Sequence, residues 1–132
     1  MSARLINWKV YLAVGIGGMI GAVGRYSISL LFDNRFLFPV ETLIANFIGC
    51  FLLSFILNSV WIKKRIPQEI STGLTAGVIG AFTTFSTFAV ETVTLSYHHL
   101  FLSFCYVFIS IIGGLILCYL GYRLANKRQE NI

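Results

Sequence analysis

Charge is what this sequence has least of. Of 132 residues, 10 are Lys or Arg and 5 are Asp or Glu, 11% together, against 57% hydrophobic residues and a mean hydropathy of +0.82. That balance excludes an ordinary soluble domain, in which about a quarter of the residues are charged. Proline is nearly missing as well. Pro39 and Pro67 both lie between the apolar runs, where an absent N–H breaks no helix. Cysteine is sparse: Cys50, Cys105 and Cys118 sit inside apolar runs with neither paired nor metal-ligand spacing, and they read as small buried hydrophobes. No nucleotide motif is present, and no nucleophile, base and orienting group can be assembled. His98 and His99 stand side by side in a short connection and read as a polar turn rather than a metal site. An enzyme is therefore not expected.

What the chain does have is apolar length. The runs at 10–32, 42–62, 70–97 and 100–122 each reach the roughly 20 residues that carry a helix across about 30 Å of hydrocarbon. The first follows two cations only and is too long and glycine-rich for a signal-peptide core, so it is expected to remain as a membrane helix. The expectation is an all-α membrane protein, one domain of four transmembrane helices. Short connections make sequence neighbours antiparallel.

The few cations are unevenly placed. Arg4 and Lys9 precede helix 1, Lys63, Lys64 and Arg65 follow helix 2, and Arg123, Lys127 and Arg128 follow helix 4, which puts eight on one side. The other side holds Arg35, with Arg25 inside helix 1 near that end. The positive-inside rule then predicts a multi-pass protein of the cell membrane with both termini cytoplasmic. These basic segments read as topology signals first and lipid-headgroup contacts second, with no nucleic-acid partner implied.

Within the apolar runs the polar residues fall in a pattern. Helix 1 reads "VGIGGMIGAVGRY", and the spacing of Gly17 and Gly21, repeated by Gly73 and Gly77 in helix 3, allows close backbone approach. Arg25 follows, as an interfacial anchor or a functional cation. In helix 2, Thr42, Asn46 and Gly49 share a small polar face, from which the Asn46 amide can bond across helices or donate toward a pore. In helix 3, "GAFTTFST" joins Gly80 to Thr83, Thr84, Ser86 and Thr87, side chains that draw backbone hydrogen bonds off the regular ladder. A break near the middle of helix 3 is expected, and membrane helices break only where the freed groups find another partner. Phe85 and Phe88 share a face and could present electropositive ring edges to a small anion. Glu91 lies late in the same helix. In helix 4, Tyr106 and Ser110 stand four apart with Gly114 one turn further on. Neutral donors of this kind suit weak, serial ion sites. Four helices enclose little room for such a path, so a partner subunit is expected.

The stretches "GGMIGAVGRY", "TLIANFIGCFLL" and "GAFTTFSTF", in this order within a four-helix chain, resemble the small fluoride channels of the Fluc or CrcB type. The resemblance implies an antiparallel dual-topology dimer with two fluoride pores, exporting fluoride by passive conduction, and a central structural Na⁺. It implies pore phenylalanines at Phe85 and Phe88 and a pore asparagine at Asn46. It also implies a polar track including Ser86, Thr87, Tyr106 and Ser110, and Na⁺ held through the backbone carbonyls of Gly80 and Thr83. Arg25 and Glu91 are similar to the family's helix 1 arginine and helix 3 acid. Gly114 departs from the family, which can place a serine there. The one-sided charge also departs from what two-way insertion needs, and so raises a heterodimer with an oppositely oriented paralogue beside the homodimer. A small multidrug-type proton-coupled transporter is the alternative function, but it needs a carboxylate in helix 1, where this chain has Arg25. A non-conducting assembly factor would use the glycines and aromatics for packing alone.

Overall fold

The computed structural model describes residues 7–32 and 38–130, with only the backbone at 128–130. Arg4, Arg35 and the side chain of Arg128 thus lie outside the described part. The described chain is all-helical, and four stretches are long and apolar enough to cross a membrane: Trp8–Leu31, Val40–Asn58, Gln68–His98 and Leu100–Lys127.

The first is a single helix, α1 (Trp8–Leu31), whose start is capped by Asn7, the side chain accepting from the Lys9 N–H at 3.3 Å. The Asn7 amide also donates to Glu69 at 3.0 Å, which ties the start of α1 to the start of the third crossing. The second crossing, α2 (Val40–Asn58), stops four residues before its apolar run does. Ser59 adopts an extended conformation there and caps a short helix, α3 (Val60–Arg65), through its hydroxyl. A serine favours a cap over helix interior, and so α2 ends at Asn58 and α3 starts anew, its cations Lys63, Lys64 and Arg65 in the last turn.

The third crossing is composite. It begins as α4 (Gln68–Thr72), widens into a π-helix over Gly73–Ile79 and tightens again in α5 (Gly80–Phe82). The chain opens at Thr83 and Thr84, both extended, before α6 (Phe85–His98) resumes. The break thus falls on the two adjacent threonines. The π-helical segment carries no signal in the sequence beyond its glycines. The fourth crossing, α7 (Leu100–Glu130), continues past residue 122 as a polar helical end.

The odd-numbered crossings run parallel and share a glycine seam. A Cβ at Gly17 would collide with the Gly73 carbonyl and one at Gly21 with the Val78 carbonyl. One at Gly77 would lie 2.7 Å from the Val14 carbonyl oxygen. Only glycine permits this backbone-to-backbone approach. The even-numbered crossings α2 and α7 also run parallel: Phe47 fills the hollow over Gly113, and Gly121 lies under the Phe51 carbonyl. Finally, α6 folds back along α7 after a turn at His99. Between these layers sits the small core of Leu43, Leu95 and Tyr106.

Candidate functional site

The extended pair Thr83–Thr84 is held open by a side chain 38 residues away. Asn46 of α2 accepts from the Thr84 N–H at 2.9 Å and donates to the Thr84 carbonyl at 3.0 Å, pairing with that peptide as a neighbouring strand would. Thr84 also caps α6: its hydroxyl accepts from the Thr87 N–H at 3.2 Å and lies 3.0 Å from the Thr87 hydroxyl and 3.2 Å from that of Ser86. Gly49, one turn along α2 from Asn46, leaves room for the methyl of Thr83.

Two carbonyls lose their helical donors as a result. The Thr84 N–H that would close a turn onto Gly80 is given to Asn46, and the Thr87 N–H that would close onto Thr83 is given to the Thr84 hydroxyl. Oxygens of this type suit a hard cation.

Further along α6, a polar cluster joins four helices, α1, α2, α6 and α7. Arg25 Nη2 donates to the Thr42 hydroxyl at 3.1 Å, Thr42 donates to Glu91 Oε1 at 2.8 Å, and Tyr106 donates to Glu91 Oε2 at 2.7 Å. Each carboxylate oxygen thus has a neutral hydroxyl donor. Thr42 and Tyr106 are fully buried, while Arg25 Nη1 is buried without a partner among the described residues. Arg25 is therefore held inside the protein by Thr42 rather than reaching outward as an anchor. Beside the cluster opens a pocket of about 330 Å³, lined by Glu41, Glu91, Thr94 and His98 together with Phe38 and Pro39.

Aromatic rings join the break to this cluster. Phe85 and Phe88 lie 5.9 Å apart, Phe88 and Tyr106 5.2 Å, and Tyr106 meets Phe38 edge-on at 5.4 Å. Phe85 is 79% exposed and Ser86 is exposed, whereas Phe88 and Thr87 are half-buried. Ser110 is one turn from Tyr106, and its hydroxyl donates to the Tyr106 carbonyl at 2.7 Å. Above the next turn, the thiol of Cys50 would lie 3.5 Å from a Cβ at Gly114.

Asn46, Thr83, Ser86, Thr87, Phe85, Phe88, Tyr106, Ser110, Glu91 and Arg25 are thus brought onto one connected strip of α2, α6 and α7, with Arg25 reaching in from α1. Thr42, placed by its spacing on the polar face of α2 with Asn46 and Gly49, is the hub of this cluster, a role that the spacing alone did not assign. Phe38 was missed because it lies outside every apolar run.

The described part is thus a four-helix membrane protein whose third crossing is broken, with hydroxyls and aromatic rings gathered along one face. Residues 12–122 match the family described as CrcB-like protein, Camphor Resistance (CrcB). The chain is 44% identical over 120 residues to the fluoride-specific ion channel FluC 1 of Bacillus cereus, covering 89% of this chain and 88% of the relative. FluC 2 of Listeria innocua is 42% identical over 89% of this chain and 91% of its own length. FluC 1 of Desulfitobacterium hafniense is 40% identical over 86% of this chain and all of its own. The chain belongs to the CrcB family, whose relatives here are named as ion channels rather than enzymes.

Proposed function

We propose that this chain forms a fluoride-selective channel that lets toxic fluoride leave the cytoplasm by passive conduction. The observation that carries the reading is the run of rings from exposed Phe85 through Phe88 to Tyr106, bordered by Ser86, Thr87 and Ser110. Fluoride is small and strongly hydrated, so a narrow path must replace its water with short hydrogen bonds. Hydroxyls, ring edges and the second N–H of Asn46 supply partial positive charge without a full countercharge that would trap the ion. At the far end, Arg25 Nη1, without a partner among the described residues, adds a cationic donor linked to Glu91 through Thr42.

One subunit does not enclose this strip. The exposed Phe85 and Ser86 call for a second subunit, because a hydroxyl-bearing face is costly against lipid. An inverted second subunit, whether a copy of this chain inserted the other way or an oppositely oriented paralogue, gives an antiparallel dimer whose two-fold or pseudo-two-fold axis gives two pores. The same axis can bring the Gly80 and Thr83 carbonyls of both subunits around one central Na⁺, the residues being of the right kind to hold it. When bound, that ion contributes fixed positive charge next to an anion path. The eight cations at one side favour a fixed orientation with cytoplasmic termini, and so a heterodimer with an oppositely biased paralogue over a homodimer. A proton-coupled drug transporter finds no support, since α1 carries Arg25 and no carboxylate.

Efflux from proteoliposomes tests the reading. Vesicles holding this chain, alone or with its paralogue, should release fluoride and retain chloride when a potential is imposed. Chloride release at a comparable rate would overturn selectivity. Activity that requires the paralogue would establish the heterodimer, and labelling of the C-terminus equally from both faces would refute fixed orientation.

A further inference from the structure

Two hollows meet at the end of α7, and both use Arg123 and Lys127. One, of about 410 Å³, runs along α7 over Leu117, Leu120 and Leu124 with Phe51 of α2 as its floor. The other, of about 330 Å³, opens on the opposite side of the same two cations between Tyr122 and Asn126. Leucines and Phe51 line most of the first and polar-tipped side chains the second, and neither includes a residue of the strip of α2, α6 and α7 described above.

Their depth in the membrane follows from packing. Helices α2 and α7 run parallel, and Gly121 lies against the Phe51 carbonyl and the Cβ of Ser54. Arg123 and Lys127 therefore stand level with the end of α2 at Asn58, while Leu117 and Phe51 lie deeper in the hydrocarbon. From Leu117 to Lys127 the helix rises roughly 15 Å. The short helix α3 packs against α7 at this level and brings exposed Lys63, Lys64 and Arg65, the last with its guanidinium 4.9 Å from the Trp61 ring centre. An aromatic beside cations is the composition of a membrane–water boundary.

We propose that this double hollow is a binding site for an anionic phospholipid. One acyl chain lies over Leu117, Leu120 and Leu124, and the phosphate sits between Arg123 and Lys127 with the rest of the headgroup toward Tyr122 and Asn126. Charge complementarity selects the occupant: an apolar groove that rises out of the hydrocarbon into paired cations fits a molecule with a chain at one end and a negative charge at the other. A zwitterionic lipid would fill the groove but bring a cation of its own against Arg123 and Lys127. The site is specific because the charge and the groove belong to the same turns of one helix.

Native mass spectrometry of the full-length protein in detergent, titrated with phosphatidylglycerol or with phosphatidylcholine of the same chains, tests this. Wild type should retain phosphatidylglycerol at least about fivefold more strongly, and the double variant Arg123→Gln, Lys127→Gln should lose that preference. Lys63→Gln with Lys64→Gln removes the same charge from the same end without touching either hollow, and should change retention less than about twofold. Equal loss in both double variants would show a diffuse basic surface and overturn the site. Leu120→Trp, at an exposed position, should fill the groove and lower retention with all charges in place; unchanged retention there would refute the acyl-chain half of the proposal. The readout is lipid mass, so its failure is distinguishable from failure of fluoride conduction.

Discussion

Two seams hold the membrane helices together, and they are made from opposite materials. Along the first, α1 meets the π-helical segment through Gly17, Gly21, Gly73 and Gly77, with carbonyls where side chains would otherwise be. Along the second, hydrogen bonds of Thr42, Asn46, Glu91, Ser103 and Tyr106 tie α6 and its start to α2 and α7, while α2 and α7 themselves pack through Phe47 over Gly113 and Gly121 under Phe51. Lipid offers no hydrophobic drive to bring helices together, so close packing and interhelical hydrogen bonds are the two means available. A glycine seam leaves no space for anything to pass. The hydrogen-bonded seam spends the single hydroxyl hydrogens of Thr42, Ser103 and Tyr106 within the fold and leaves the second N–H of Asn46 as the donor with capacity for the proposed ion path.

The largest expected break comes from filling the first seam. Gly21→Leu drives a side chain into the Val78 backbone, which cannot yield as a flexible side chain could. We expect no monodisperse protein in detergent size-exclusion chromatography. Gly114→Ala, whose Cβ would make ordinary contact with Cys50 on the other seam, should fold with a stability change within about 0.5 kcal/mol. Comparable yields from both variants would erase the distinction between the seams.

Next in size is Asn46→Leu. It strands the N–H and the carbonyl of Thr84, at a cost of about 1–3 kcal/mol each, where lipid offers no water in exchange. Thermal unfolding should shift down markedly and fluoride efflux should collapse with it. A melting temperature equal to wild type would mean that the break does not depend on Asn46.

Phe88→Ile should separate conduction from stability. It retains most of the apolar volume, so the expected destabilisation is below about 1.5 kcal/mol, but it removes a ring tilted against Tyr106 at 5.2 Å. Efflux should fall at least about tenfold, the loss of roughly 1.4 kcal/mol of favourable interaction with the passing ion. Phe85→Ile, at a more exposed position, should do the same with less destabilisation. Unchanged efflux in both would leave the rings as packing.

The break in the third crossing was legible because Gly80, Thr83 and Thr84 each weaken a helix locally, and the crossings were legible because apolar length is a local property as well. What keeps the break open was not. Asn46 is 38 residues from Thr84, and nothing short of the fold says that its amide is taken up by that peptide rather than turned wholly toward an ion. The same holds for Arg25, whose partner Thr42 belongs to another helix. The end of α2 was misplaced because hydropathy continues through Trp61 while the Ser59 cap turns the chain. The π-helical stretch was unreadable because only its glycines mark it, and their close contact with Ala13, Val14 and Gly17 of α1 is made in the fold.

Ser110 gives the finest division between the two uses of the polar seam. Its hydroxyl already donates to the Tyr106 carbonyl one turn back, so it contributes no bond between helices. A hydroxyl satisfied within its own helix stabilises little, and Ser110→Ala should therefore change unfolding by no more than about 0.5 kcal/mol. Its oxygen nonetheless lies one turn along from Tyr106, where an ion leaving the rings would next find a donor if the hydroxyl swings off the carbonyl. Efflux should drop about fivefold, less than for either phenylalanine, because one neutral hydrogen bond contributes about 1 kcal/mol. A destabilised variant with normal efflux would place Ser110 with the glycines as packing. A stable variant with slowed efflux would place it on the ion's route, and would extend that route beyond Tyr106 toward Gly114 and the thiol of Cys50.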